Sequence, residues 1–489
     1  MTFGELAQDG AWLLLVAIVV AAWAGGHVIL RKRDPRAALG WVGLILLVPL
    51  LGATLYFVFG VNRVSRRAES LYADHLPESF DVETCTLDAD DLEAGVFDGV
   101  LESRVKPSVV ELARFVDGLV PTHLCIGNRV EPLTSGRMAY DAMLAAIDGA
   151  ERTLALSTYI FDHDAVGNRF RRALAAAHRR GVEVRVLIDA MGDRYSWPPM
   201  RRLLARDGVP AASFMPTLWP QYLSYSNLRN HRKLLVADGR VVFTGGMNIR
   251  HGHLLDEAPK NPVRDLHFRV EGPIVASLLQ VFVNDWAFAA NETLRGEAWF
   301  PRLEQKGEVV CRAIDDGPAG RFDQLRWTLL GALACARHRV RIVTPYFLPD
   351  EALIVGLSTA ARRGVEVEIL LPEVNNLLLV QWASTALLWQ VLQPGCRVFL
   401  TPRPFDHSKL CVIDDEWSLI GSANWDPRSL RLNFELNLAC ISKPLAAQLG
   451  AEIDARRAAA RELDLATVDG RSLPVRLRDG LARLASPYL

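Results

Sequence analysis

Two uncharged apolar runs open the chain. Residues 11–30 (AWLLLVAIVVAAWAGGHVIL) carry no Lys, Arg, Asp or Glu, and residues 37–61 form a second such run. Twenty helical residues at ~1.5 Å each reach ~30 Å, the thickness of a hydrocarbon core. With the basic turn RKRDPR (31–36) between them, the pattern predicts a transmembrane helical hairpin over residues 1–62. Glu5 and Asp9 precede the first run and no Lys or Arg does, which does not fit a cleaved signal peptide. Basic residues stand in the turn and again at Arg63, Arg66 and Arg67, so the charge count leaves the membrane side open.

Beyond the hairpin the pattern turns polar. Residues 63–127 read as a juxtamembrane connector, with a solvated acidic run (Asp88, Asp90, Asp91, Glu93) and a helix over 108–119 stopped by Pro121. From residue 128 onward, apolar positions alternate between helical and strand periods, and the pattern is written twice. An amphipathic helix near 140–150 leads to the strand TLALSTYIF, a further helix and RRGVEVRVLID (179–189). In the second half, 322–337 leads to RVRIVTPYFL, a helix and RRGVEVEILLP (362–372). Helix–strand alternation with Gly closing each helix predicts a tandem pair of α/β domains, each a mixed sheet flanked by helices. In the tail, Leu477, Leu481 and Leu484 with intervening Arg predict an amphipathic helix, suited to a membrane surface or to packing between domains.

Each half ends in the same signature. HRKLLVADGRVVFTGGMN (231–248) and HSKLCVIDDEWSLIGSAN (407–424) both read H-x-K-x4-D-x6-G-x2-N. His231/His407, Lys233/Lys409, Asp238/Asp414 and Asn248/Asn424 share one constant offset, a register that chance rarely repeats. Strand side chains alternate faces, so each His and the Lys two residues on point the same way. The Asp lies at the hairpin turn, and the second strand delivers the Asn. Two such halves about a pseudo-twofold would place two His, two Lys and two Asn around one phosphate. The Lys and Asn groups would stabilise charge on its oxygens. One His can attack phosphorus while the other protonates the leaving oxygen. An acid downstream of each motif, Asp265 and Glu435, is placed to hold an imidazole in its working tautomer.

Composition narrows the substrate. Half the residues are hydrophobic, mean hydropathy is +0.13, and the net charge is −1. A membrane-associated chain fits that balance, whereas a near-neutral surface argues against a nucleic-acid polyanion. The seven Cys include no CxxC pair and no zinc-ligand spacing, so neither a disulfide framework nor a metal site is expected.

The doubled motif resembles the HKD signature of the phospholipase D superfamily. RDPRAALGW and VPLLG near the N-terminus, GNRVEPLTSG (127–136), NLRNHRKLLVAD, RDLHFRVEGP and NWDPRSLRLNFE (424–435) narrow the resemblance to bacterial cardiolipin synthases across essentially the whole chain. It implies phospholipase D-like domains at 128–295 and 296–489. It also implies phosphatidyl transfer between two phosphatidylglycerols through a phosphohistidine, with no metal, nucleotide or other cofactor, in the bacterial inner membrane as a multi-pass protein; the motif alone does not separate this from hydrolysis of phospholipid head groups or from transfer to a different acceptor. The catalytic set carried over is His231, Lys233, Asp238, His407, Lys409 and Asp414, with Asn248, Asn424, Asp265 and Glu435 in support. His231 is taken as the nucleophile and His407 as the acid. The oligomeric state is not expressed in the sequence. Four departures bear on substrate preference: Asp406 before the second His, where it would raise that ring's pKa, Gly246 opposite Ser422, Val263 before Arg264-Asp265, and the loop PRPFD (402–406).

Overall fold

The structure is a computed structural model that describes residues 3–32, 35–60, 105–215, 228–317 and 323–486. The acidic run, Cys85 and the arginines at 63, 66 and 67 lie outside the described residues. The chain divides into two compact units, Met1–Arg67 and Ala68–Leu489.

In the first unit one helix, Phe3–Arg31, contains the single described stretch that is long and apolar enough to cross a membrane, Leu14–Arg31. The second apolar run is divided. It forms a helix over Pro35–Leu47, breaks at Val48, and resumes over Pro49–Leu55 and a wider turn at Tyr56–Gly60. Pro49 is the physical reason: it has no N–H to continue the ladder, and its ring pushes Val48 out of helical geometry. Gly52 lets the short helix lie against the backbone of Leu44, where a Cβ would come within 2.6 Å of the carbonyl oxygen.

The second unit is built on one continuous sheet. The first half supplies β1 (Cys125–Leu133), β2 (Thr153–Thr158), β3 (Glu183–Asp189), β4 (Ala211–Phe214), β5 (Leu234–Ala237), β6 (Val241–Gly245), β7 (Val263–Arg264) and β8 (His267–Glu271). The second supplies β9 (Val309–Asp316), β10 (Arg339–Val343), β11 (Glu366–Pro372), β12 (Arg397–Thr401), β13 (Phe405–Asp406), β14 (Leu410–Ile413), β15 (Trp417–Gly421), β16 (Glu435–Ile441) and β17 (Arg461–Leu463). Fifteen of them run in the order β17-β12-β11-β10-β14-β15-β16-β9-β1-β8-β6-β5-β2-β3-β4. Read outward from the β9–β1 junction, the order is the same in both directions up to β12 and β4. This is the pseudo-twofold that the repeat predicted.

Each half has its own core. In the first, Phe170, Leu174, Val184, Val186, Leu235 and Phe243 are buried together. The second gathers Leu329, Leu357, Val367, Ile369, Val398 and Trp417, and it also takes in Val109, Leu112 and Val116 from the Pro107–Asp117 helix. A helix that the sequence assigns to the connector thus packs into the second half, because its apolar stripe needs a face to cover.

Candidate active site

The two motif hairpins are β5–β6 and β14–β15, both antiparallel. Their turns place positive φ at Asp238 and Gly239 and at Asp414 and Asp415, the mirror-image turn that matches strand twist. Each motif Asp has a second task. Asp238 accepts the backbone N–H groups of Glu151, Arg152 and Thr153, and Asp414 those of Arg337, His338 and Arg339. These are the segments that enter β2 and β10. Each Asp lies five positions of extended chain beyond the motif Lys, ~16 Å at strand rise. The structure therefore does not bring Asp238 and Asp414 to the histidines; they anchor the far end of the hairpin.

The histidines do come together. His231 and His407 line one cavity of about 220 Å³ with Asn248, Asn424, Tyr159, Tyr346, Arg229, Arg250 and Arg428. The two halves are tied across it by exchanged backbone. His231 N–H donates to the Phe434 carbonyl (2.9 Å), and His407 N–H donates to the Arg264 carbonyl (2.7 Å). Those carbonyls immediately precede Glu435 and Asp265. As a result the acids are exchanged between halves: His231 Nδ1–H donates to Glu435 at 3.0 Å, and His407 Nδ1–H donates to Asp265 at 2.8 Å. A carboxylate can only accept, so the proton sits on Nδ1, and each Nε2 keeps its lone pair for the cavity.

The electrostatics follow from burial. Desolvation lowers the His231 pKa, partly opposed by Glu435, and lowers His407 further with help from the ammonium of Lys409. The resting rings are neutral. Burial pushes Asp265 up to about 6, whereas at Glu435 desolvation is outweighed by its hydrogen bonds from His231 and Ser422 and by the nearby Lys233, which together hold it below its ordinary value. Lys233 and Lys409 are buried beside the rings, with Nζ donating to the carbonyls of His231 and His407 respectively. Desolvation brings them down to about 7 and about 8. Asn248 is fixed by accepting from Ile160 N–H (3.1 Å).

One expectation needs correction and one departure finds its reason. Asp406 does not face His407. It pairs with Arg456 at 2.9 Å and accepts from Ser408 N–H, and the His407 pKa is depressed rather than raised. Gly246 is explained by crowding, since a Cβ there would lie 2.3 Å from Asp265 Oδ1, where the other half has Ser422 donating to Glu435 at 2.5 Å. The sequence reading also passed over Tyr159 and Tyr346, whose rings stand edge-on to His231 and His407 at 5.3 and 6.2 Å. The signal was present in STY and TPY, which stand at the ends of β2 and β10 at matching places of the repeat. Arg229, Arg250 and Arg428 had none, because they follow no shared offset.

A pseudo-symmetric sheet with two carboxylate-held histidines in one cavity defines a phosphodiester-transferring enzyme of the phospholipase D type. The family model described as "Cardiolipin synthase, PLD-like domain" matches residues 143–286 and 329–457, and "Phospholipase_D-nuclease N-terminal" matches 19–60. The cardiolipin synthase of Oceanobacillus iheyensis is 30% identical over 481 residues, covering 97% of this chain and 98% of that one. Cardiolipin synthase 1 of Staphylococcus epidermidis is 28% identical over the whole of both chains. Among solved structures, the phosphatidylserine synthase of Haemophilus influenzae shares the fold with a TM-score of 0.61 and 18% identity, covering 78% of this chain and all of that one. The chain belongs to the cardiolipin synthase family of phospholipase D-like proteins.

Proposed function

We infer that this protein joins two phosphatidylglycerol molecules into cardiolipin and glycerol by double displacement. The observation that carries this reading is the pair of Nε2 atoms directed into one arginine-lined cavity, each ring held by an acid from the opposite half. The arginines and lysines suit a lipid phosphodiester anion. That anion restores a proton to one imidazole by favouring its charged form. His231 Nε2 attacks phosphorus. The cationic ring so formed is stabilised by Glu435, which is ionised and also accepts from Ser422 and Asn433. His407, whose proton is weakly held, gives it to the departing glycerol oxygen. It then takes a proton from a hydroxyl of the second phosphatidylglycerol, which attacks the phosphohistidine. Phosphodiester bonds are conserved and configuration at phosphorus is retained after two inversions.

In this reading Lys233, Lys409, Asn248 and Asn424 steady the phosphoryl oxygens, Asp265 and Glu435 orient the rings, and Asp238 and Asp414 hold the hairpins. The Phe3–Arg31 helix and the pieces over residues 35–60 together form a two-span hairpin in the bacterial inner membrane. The test is incubation of purified protein with phosphatidylglycerol alone. Cardiolipin with equimolar glycerol is expected, and phosphatidic acid as the sole lipid product would overturn transfer in favour of hydrolysis.

A further inference from the structure

The helix Leu473–Leu484 is turned the wrong way for a soluble protein. A surface helix ordinarily buries its leucine stripe. Here Leu473, Leu477, Leu481 and Leu484, which fall on one face, are 59–75% exposed, while the buried positions are Asp479 and Ala482. The inner face is held by specific contacts. Asp479 accepts from Arg471 and Arg478, and Arg478 lies over the Trp382 ring at 4.4 Å. Ala482 packs with Val380, Ala383 and Leu387. The leucines are therefore fixed outward rather than frayed.

Two further observations say what covers them. Arg476 and Arg483 flank the stripe on one side, both exposed, so the face combines an apolar ridge with a cationic margin that suits anionic headgroups. The helix beneath, Leu378–Thr385, begins with three consecutive exposed leucines, Leu377, Leu378 and Leu379, and Leu377 and Val380 belong to the wall of the histidine cavity. The apolar ridge thus runs into the mouth of the site.

We propose that the outward leucine face of Leu473–Leu484, with Leu377–Leu379, lies in the interface of an anionic bilayer, so that a phospholipid headgroup enters the cavity past Leu377 while its acyl chains stay in the membrane. The inference rests on the lipid-transfer reading above and adds the route by which the substrate arrives. It makes the catalytic unit an interfacial enzyme in its own right, with membrane contact at the lip of the site.

Two measurements on the full chain in nanodiscs test it. In the first, L477E/L481E is compared with wild type on long-chain phosphatidylglycerol in the disc and on a short-chain phosphatidylglycerol below its micellar concentration. These residues lie outside the cavity, so the short-chain rate should be unchanged, while kcat/KM for the long-chain lipid falls about tenfold or more as two buried leucines are lost from the interface. Equal loss on both substrates, or no loss on either, overturns the proposal. In the second, a fluorophore on L477C, with unsubstituted protein as the labelling blank, should be quenched by doxyl lipids, whereas one on R179C should not. A shielded but unquenched label, or cross-linking between copies through it, means that protein covers the face and also overturns the proposal. If wild type yields no transfer product from either lipid, the functional reading fails instead, and the quenching result still judges the docking face.

Discussion

The two halves of the catalytic unit share strand order, hairpin turns and motif spacing, yet their histidines do not have the same surroundings. His231 rests on an ionised Glu435 that also holds Ser422 and Asn433. His407 rests on Asp265, which has Gly246 where Ser422 would stand and whose pKa burial raises to about 6. Lys409 lies 2.9 Å from His407 Nδ1, while Lys233 donates to its histidine's carbonyl and lies over the Tyr159 ring. A repeat that is symmetric in backbone is therefore asymmetric in charge. That suits a reaction in which one imidazole must carry a positive charge bonded to phosphorus and the other must release a proton.

Removing either ring should break the comparison altogether. His231→Ala and His407→Ala should each lower cardiolipin formation by ~10³-fold or more, since nucleophile and acid are lost in turn. They differ in what accumulates. Intact-mass analysis of His407→Ala should show a covalent phosphatidyl adduct on His231, and His231→Ala should show none; an adduct on His407 would reverse the roles.

The exchanged acids give the next largest effect. Glu435→Gln should cost about 10²–10³ in kcat, and Asp265→Asn about tenfold less, because a neutral partner fails mainly the ring that becomes cationic. Equal losses in steady-state assays would mean that the charge asymmetry does no chemistry.

The pH profile separates the lysines. Each has its pKa lowered by burial, so its positive charge is present below that value and lost above it. Binding of the anionic lipid should weaken as pH rises through about 7 (Lys233) and about 8 (Lys409), placing the basic limb of kcat/KM there. Lys233→Met should leave only the limb near 8, and Lys409→Met only that near 7.

The smallest effect on turnover belongs to the motif aspartates. Asp238→Asn or Asp414→Asn should lower stability by about 1–3 kcal/mol, the scale of an unsatisfied buried partner, as each now accepts fewer of its three N–H groups. Thermal unfolding should shift down while kcat per folded molecule stays close to wild type; a loss of kcat matching that of the histidine variants would return these residues to the chemistry.

Much of the site could be read along the chain because it rests on local geometry. A two-residue spacing on a strand puts His and Lys on one face wherever that strand ends up, and a doubled H-x-K at constant offset names both rings. The apolar length of 11–30 and the helix–strand alternation were legible for the same reason. The place of Asp238 is not legible locally, because its partners lie 85–87 residues upstream and nothing along the chain distinguishes an acid that meets a substrate from one that meets backbone N–H groups. Asp406 was misassigned for a similar reason, its charge taken up by Arg456 fifty residues on.

What the sequence determined by itself is therefore the repeat, the paired His and Lys of each motif and the apolar N-terminal helix, each fixed by residue type and period. Only the tertiary structure decided which acid serves which histidine, over separations of 204 and 142 residues, and where the second half takes its extra helix. It also decided that the last helix shows its leucines outward. Those outcomes depend on which surfaces find one another when the halves close, and hydrogen-bond geometry and burial settle that at distances no local pattern encodes.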